Sequence, residues 1–367
     1  MRQLLGAGVA ALLILLGPAV ARPADEVENL VRGEMAQHHV PGVACLVIKD
    51  GQRLATIYAG QGNLEWDQPV TNDTAFEIGS ITKQFTAACI LTLAEAGKLS
   101  VDDPISQYLT NPPPAWAGIK IRHLLSHTSG LTNYDHLAGF EMQRRLTQAE
   151  FIARLGKYPL VFPPGDAWSY CNSGFNLLGY IVENVSGEPY WKFLHEHILD
   201  PLQMTNTYER DPATLVPHRA NGYVWRKTAG LWQNRDTDLT DLFSAGTMVS
   251  TVEDLAKWDA AIQGEGILSA ATKKLWWTPV TLNNGQPITR VGRHAGSYGY
   301  GWFLNPERAH PSIWHTGVTT GFSAANQWYP GDHLTIIVLS NTDESAFGGA
   351  LADKIADYYL APAPKPL

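Results

Sequence analysis

Ser80-Ile81-Thr82-Lys83-Gln84-Phe85-Thr86-Ala87-Ala88-Cys89-Ile90-Leu91-Thr92-Leu93-Ala94-Glu95 is the stretch on which the reading of this 367-residue chain turns. From Gln84 to Glu95 it is an apolar helical run that Gly97 can end, so Ser80 falls at or near a helix N-terminus. Positions i and i+3 are one turn apart, which sets the Lys83 amine beside the Ser80 hydroxyl, a nucleophile next to a base. Ser-x-x-Lys alone is a weak signal, since average residue usage yields about one in a chain of this length. Its weight comes from two further elements downstream.

A lysine of ordinary pKa, about 10.4, needs a shift of roughly three units, about 4 kcal/mol, to lose its proton near neutrality, and a tyrosine near 10 faces a similar cost. A hydrogen-bonded pair that shares the proton answers both difficulties. The chain's one Tyr-x-Asn, Tyr170-Cys171-Asn172, follows Pro163-Pro164-Gly165 and precedes an apolar helix, so Tyr170 is the candidate partner of Lys83. Asn172 is then expected to orient Lys83 or a substrate amide. The third element is His315-Thr316-Gly317-Val318, at the end of an apolar strand and followed by Gly321-Phe322. A strand edge offers backbone groups to an extended substrate, and Gly317 allows close approach. The backbone N–H groups of Ser80 and Val318 are the candidate oxyanion hole.

Outward from these elements, Asp25 to His38 has helical spacing, and Val43–Ile48, Asp50-Gly51 and Arg53–Tyr58 read as a β-hairpin. Helical stretches at Phe175–Glu183 and Thr251–Ile262 alternate with Pro-, Gly- and Asn-rich loops; Ser250-Thr251 before Glu253-Asp254 signals a capping box. Strands return at Trp314–Thr316, Ser323–Tyr329 and Leu334–Ser340, and Ala350–Leu360 closes the chain as an amphipathic helix. The expected fold is mixed α/β of the α+β type. Both chain ends form one antiparallel sheet flanked by helices (about 25–85 and 290–360), with a mostly helical lobe inserted at about 86–289.

Three elements in this order and spacing resemble the serine β-lactamase and penicillin-recognising enzyme family, in its class C-like branch with D,D-peptidase, D-aminopeptidase and esterase relatives. The resemblance spans nearly the whole of residues 22–367 and includes Leu124-Leu125-Ser126-His127-Thr128-Ser129-Gly130-Leu131 and Pro163 to Asn172. It implies a β-lactamase/transpeptidase-like fold and carries the nucleophile to Ser80, the lysine to Lys83, the tyrosine to Tyr170 and the asparagine to Asn172. The family's Lys-Thr-Gly is His-Thr-Gly here, as in esterase and peptidase-like members. A histidine of ordinary pKa, about 6.5, is mostly neutral at pH 7, so a fixed cation for a substrate carboxylate is missing. His315 is expected to supply one only as the imidazolium, at lower pH.

The function expected is a serine hydrolase forming an acyl-enzyme on Ser80 from a peptide, amide or ester, peptidase or esterase-like. A β-lactamase or D,D-carboxypeptidase is the alternative, and a catalytically weak penicillin- or peptidoglycan-binding module the alternative of another class. The partner is a small-molecule or peptide substrate with a reactive carbonyl, and the oligomeric state stays open.

Composition limits the rest. A net charge of -8 and pI near 5.8 argue against a nucleic-acid or anionic-membrane surface. Arg2, the apolar run Leu4–Leu16 and Ala19-Val20-Ala21 read as a signal peptide cleaved after Ala21, and the run is too short to span a membrane, giving a secreted or periplasmic protein. Cys45, Cys89 and Cys171 are odd in number, so at least one is free. His195-Glu196-His197 lacks metal-ligand spacing, and His123 with His127 lacks a third ligand, so no metal and no cofactor are expected. Gly321-x-Ser323-x-Ala325 is a near miss for a nucleophile elbow. The twelve tryptophans are assigned to packing.

Overall fold

The computed structural model describes residues 24–137, 145–235, 237–291 and 294–360; the expected leader and the Pro-rich tail from Pro362 lie outside them. The principal helices are α1 (Ala24–His38), α2 (Thr82–Glu95), α3 (Asn172–Ser186), α4 (Val252–Gln263) and α5 (Phe347–Tyr359). Continuous apolar strand sequences such as Val43–Ile48 and Leu334–Leu339 suit a sheet covered on both faces. That is how they are used. Strands β1 (Gly42–Lys49), β2 (Gln52–Asn63), β3 (Gln68–Pro69), β4 (Ser297–Tyr298), β5 (Phe303–Asn305), β6 (Ser312–Thr319), β7 (Phe322–Tyr329) and β8 (Leu334–Ser340) form one sheet in the order β4-β5-β6-β7-β8-β1-β2-β3. Every neighbouring pair is antiparallel.

The two ends of the chain meet at its centre, where β1 pairs with β8 from Val43↔Ser340 to Lys49↔Leu334. Alternate residues serve different cores. Val43, Cys45 and Val47 join Leu334, Ile336 and Val338 beneath Val31 of α1 and Leu351 of α5. Ala44, Leu46, Ile337 and Leu339 face the larger core shared with α2, α3 and α4. Each fully buried Val, Leu or Ile contributes about 1.5–3 kcal/mol, so the sheet is stabilised from both sides.

The inserted region, with the residues just before it, holds more strand than expected. Phe76–Glu77, Met248–Ser250 and Tyr208–Glu209 make a small three-stranded sheet, and Tyr223–Arg226 pairs with Leu231–Asn234. Runs of two to four residues are too short to show a period of two. The cap of α4 also differs from the expected reciprocal box. Thr251 accepts from the Asp254 N–H at 3.1 Å, but the Asp254 carboxylate accepts from the Asn206 N–H (2.7 Å) and Thr207 Oγ1 (3.0 Å) instead of returning to Thr251, while Glu253 accepts from Arg53 (2.6 and 2.8 Å) and Tyr58 (2.7 Å), tying α4 to β2. Trp116, Trp258, Trp276 and Trp302 are fully buried, and Phe85 of α2 stacks on Trp258 at 4.0 Å. All three cysteines are free and buried, and Ser323 lies buried inside β7. Among the described residues no helix is long and apolar enough to cross a membrane.

Between α4 and the sheet, Asp259 is buried with one carboxylate oxygen 2.9 Å from Asn326 Nδ2. Its other oxygen and the Asn326 carbonyl oxygen are both buried without a hydrogen-bond partner. Burial pushes the Asp259 carboxyl up to about 7, against the smaller opposing effect of Asn326. A raised acid keeps its proton in the fold while the unfolded chain, near 3.9, releases it, so stability falls as pH rises across that interval. We predict that Asp259→Asn gains about 2–3 kcal/mol relative to the parent between pH 5 and pH 8, measured by urea unfolding. A difference that stays constant with pH would show that Asp259 is ionised throughout.

Candidate active site

Ser80 lies in a single 3-10 turn, Gly79–Ile81, that leads into α2. Two glycines let this turn touch β6 backbone to backbone. Gly79 has φ +49°, and a Cβ there would lie 2.7 Å from the Val318 nitrogen; a Cβ on Gly317 would lie 1.8 Å from the Ile78 carbonyl oxygen and 3.2 Å from the Ser80 nitrogen. No larger residue fits either place without moving one of the two chains. The backbone nitrogens of Ser80 and Val318 are thereby brought together. Below them Thr319 Oγ1 donates to Glu77 at 2.7 Å, and Glu77 also accepts from Arg210 Nε at 3.1 Å. Strand β5 pairs with β6 only from Ser312 to Trp314, which leaves His315 to Thr319 unpaired on that edge.

Lys83 is fully buried, with Nζ 3.1 Å from Ser80 Oγ and 2.7 Å from the Ala245 carbonyl oxygen. It sits 4.9 Å from the centre of the Tyr170 ring and 5.4 Å from that of Phe175. Burial pushes its pKa down to about 7, opposed by the negative charge of Asp135. That displacement corresponds to about 5 kcal/mol against the ammonium form. The Tyr170 phenol is raised above its ordinary value by burial, while its hydrogen bond with Ser80 acts the other way. Tyr170 therefore stays protonated where Lys83 titrates.

Asn172 opens α3 and lines the cleft; of the two expected partners, Lys83 or a substrate amide, Lys83 is not the one its side chain meets. Its Nδ2 donates to Asp135 at 2.5 Å, its backbone N–H donates to Asn133 Oδ1 at 2.9 Å, and its Oδ1 is buried without a partner. Asp135 also accepts from Asn133 Nδ2 at 3.2 Å. Ser80, Asp135, Asn172, Val318, Thr319 and Asp343 lie around a cleft of about 290 Å³. Among the described residues lining it there is no lysine or arginine.

Thr316 and Val318 face a neighbouring groove between β6 and the start of α5. His315 points inward and is buried. Its Nε2 is 3.2 Å from Tyr298 Oη, and its Nδ1 is 2.6 Å from the Thr316 carbonyl oxygen. Burial, then the nearby Lys83 charge, push it down to about 3. The expectation that an imidazolium at His315 could hold a substrate carboxylate is therefore corrected: the ring is neutral across the physiological range and occupied by its neighbours.

Several of the remaining candidates have partners within the fold. His123 Nδ1 accepts the Lys120 N–H at 3.1 Å, capping a short helix. Glu196 and Glu188 share the Lys192 ammonium, at 2.7 and 3.1 Å. Burial raises the Cys171 thiol to about 11, which makes it a poor nucleophile. Sequence reading missed Asp135, Tyr298 and the Ala245 carbonyl, and it gave His127 no place at the site. Asp135 follows the His127–Leu131 motif closely, and Tyr298-Gly299-Tyr300-Gly301-Trp302 is a compact Gly-aromatic run, the one signal that could have drawn attention to Tyr298.

A family model described as Beta-lactamase matches residues 27–360. A penicillin-binding protein of Bacillus subtilis (strain 168) is 30% identical over 318 residues, spanning 82% of this chain and 68% of its own length. The octameric penicillin-binding protein homologue from Pyrococcus abyssi has TM-score 0.78 at 27% identity, covering 92% of this chain and 77% of that one. A class C beta-lactamase has TM-score 0.76 at 22% identity over 92% and 96% of the two chains, a likeness of fold.

The buried lysine sets a stability test. Between about 7 and 10.5 the unfolded chain binds a proton that the fold does not, so Lys83 weakens the fold at neutral pH and this cost fades as pH rises. We predict that Lys83→Met raises the unfolding free energy at pH 7 by about 1–3 kcal/mol, after the loss of its two hydrogen bonds, and that the gain turns into a net loss by pH 10, where the relieved cost has nearly gone. A variant less stable than the parent at pH 7 would contradict the desolvation of Lys83.

Proposed function

Because the chain belongs to the Beta-lactamase family, we propose that it is a serine hydrolase in which Ser80 attacks a carbonyl carbon of a peptide, amide or ester and carries the acyl group. The observation that supports this most directly is the buried Lys83 amine 3.1 Å from the Ser80 hydroxyl. At pH 7 a lysine held near 7 is about half neutral, and the neutral amine has a lone pair for the Ser80 proton. Ser80 Oγ bonds to the carbonyl carbon as Lys83 takes that proton. The negative charge that develops on the carbonyl oxygen falls to the N–H groups of Ser80 and Val318, a contact in which one donor is typically worth about 3 kcal/mol. Tyr170, kept as a phenol, passes a proton to the departing nitrogen or oxygen as its bond to carbon breaks, and is restored from Lys83. Water then repeats the sequence on the acyl-enzyme and frees Ser80.

Charge around the cleft favours a peptidase or esterase over a β-lactamase or D,D-carboxypeptidase, both of which act on carboxylate-bearing substrates. Asp135 and Asp343 line it, His315 is neutral, and the described lining offers no lysine or arginine. A carboxylate meets the like charge of Asp135 there, which a neutral or amine-bearing acyl donor does not, while the charge of Asp343 is offset by Arg235 Nε at 3.9 Å. The basic and apolar character of Arg2 to Leu16 and the Ala19-Val20-Ala21 site support export to the periplasm or medium as part of the same proposal.

We predict that Ser80→Ala lowers kcat for an activated ester or an amino-acid amide by about 10⁴–10⁶-fold without loss of fold. More than a tenth of the parent activity would remove Ser80 from the reaction. In the parent, kcat/KM should rise with pH about a midpoint near 7 as Lys83 loses its proton. A profile flat from pH 5 to 9 would point to another base. Over pH 5 to 8, kcat/KM for a carboxylate-bearing substrate divided by that for a neutral ester should show no histidine titration, since His315 is neutral throughout. A fall centred near 6.5 would restore the imidazolium reading.

A further inference from the structure

His127 holds the Tyr170 segment at two points. Its carbonyl oxygen accepts from the Ser169 N–H at 3.0 Å, and its Nδ1 accepts from the Cys171 N–H at 3.1 Å, on either side of Tyr170. Its ring packs on the Tyr170 ring with centroids 4.3 Å apart. To do this His127 adopts φ +60°, a conformation that L-residues other than glycine seldom take.

The other ring nitrogen continues the connection. His127 Nε2 is 3.1 Å from Tyr298 Oη, which is 3.2 Å from His315 Nε2, and His315 Nδ1 reaches the Thr316 carbonyl oxygen. The two ends of this chain of contacts fix its polarity. A backbone N–H can only donate and a backbone carbonyl can only accept. With a proton count of one per link, His127 must carry its proton on Nε2 and give it to Tyr298, Tyr298 must donate to His315 Nε2, and His315 must carry its proton on Nδ1. All four hydrogen bonds are satisfied in one arrangement with both imidazoles neutral.

We propose that His127 and Tyr298 are positioning residues for the hydrolase reaction inferred above: their directed hydrogen-bond chain sets the separation between the Tyr170 segment and the substrate strand β6. Neither residue touches the reacting atoms in this role. Tyr298 belongs to β4 and His127 to the loop after the short helix Ile121–Leu125, so the chain joins segments that share no strand pairing with one another. The charged or titratable groups around it are Lys83, whose charge opposes protonation of both histidines, and Tyr170; Phe175, Trp168 and Phe303 supply the other walls. The spacing matters because a displacement of about 1 Å at a reacting group can cost 10²-fold in rate.

The test is nitrogen NMR of the imidazoles in ¹⁵N-histidine protein, with resonances assigned by single substitutions. The expected result is His127 as the Nε2–H form and His315 as the less common Nδ1–H form, neither titrating from pH 5 to 8. The same pattern should hold in Ser80→Ala protein, so it stands or falls apart from the catalytic reading. Tyr298→Phe keeps the ring and removes the link; it should lower kcat about 10–100-fold with KM changed less than about threefold, and shift the Nε2 resonances of His127 and His315, while the backbone partners at Nδ1 keep both tautomers. His315 found as Nε2–H, either histidine titrating in that range, or Tyr298→Phe leaving kcat and the Nε2 resonances as in the parent would each overturn the proposal. If Tyr298→Phe does not fold, the parent spectrum still decides.

Discussion

Everything at the candidate site depends on a contact in which two main chains meet with no side chain between them. The Ser80 turn and β6 approach so closely that Gly79 and Gly317 leave no room even for a methyl group. Backbone amides placed this way cannot relax as side chains do, which is what a preorganised donor pair requires. The contact also explains the architecture around it. The nucleophile comes from the turn that leads into α2, the amide partner comes from the sheet, and Glu77 with Arg210 and Thr319 braces the join from beneath.

The second constraint is dryness. Lys83 is surrounded by α2, the Ala245 carbonyl and the rings of Tyr170 and Phe175, and it loses ammonium character because water cannot reach it. The same burial favours the neutral form of neighbouring groups, holding Tyr170 and Tyr298 as phenols and His315 and His127 as neutral rings. One low-dielectric pocket thus sorts five titratable groups into one poised near neutrality and four that stay uncharged. Asp135, at the exposed rim, is the nearby charge that moderates the effect on Lys83.

Much of this was legible in the sequence, for identifiable reasons. Local periodicity placed α1, α2, α4, β1 and the three strands β6 to β8, because each is long enough to display its buried face. The i, i+3 spacing brought Ser80 and Lys83 together, since a helix turn fixes that distance by itself. What escaped depends on contacts between segments far apart in the chain. Asn172, expected to orient Lys83 or a substrate amide, is engaged by Asp135, 37 residues away, and His315, given an ordinary histidine pKa, is buried against Tyr298. Residue type cannot reveal a tautomer or a desolvation; only the packed surroundings can.

The central pairing of β1 with β8 has a consequence for how the chain is made. The strand formed first, at Gly42–Lys49, has its partner on one side at once in β2, but its partner on the other side is synthesised about 290 residues later. Throughout elongation the apolar β1–β2 hairpin therefore presents an open edge of the kind that pairs with other chains. Closing so long a loop is entropically slow, and sheets built from distant strands fold slowly for that reason. The sheet is completed only when Leu334–Ser340 emerges, so the amides of Ser80 and Val318 come together late. The geometry of the site is thus deferred until the last strand of the sheet is in place.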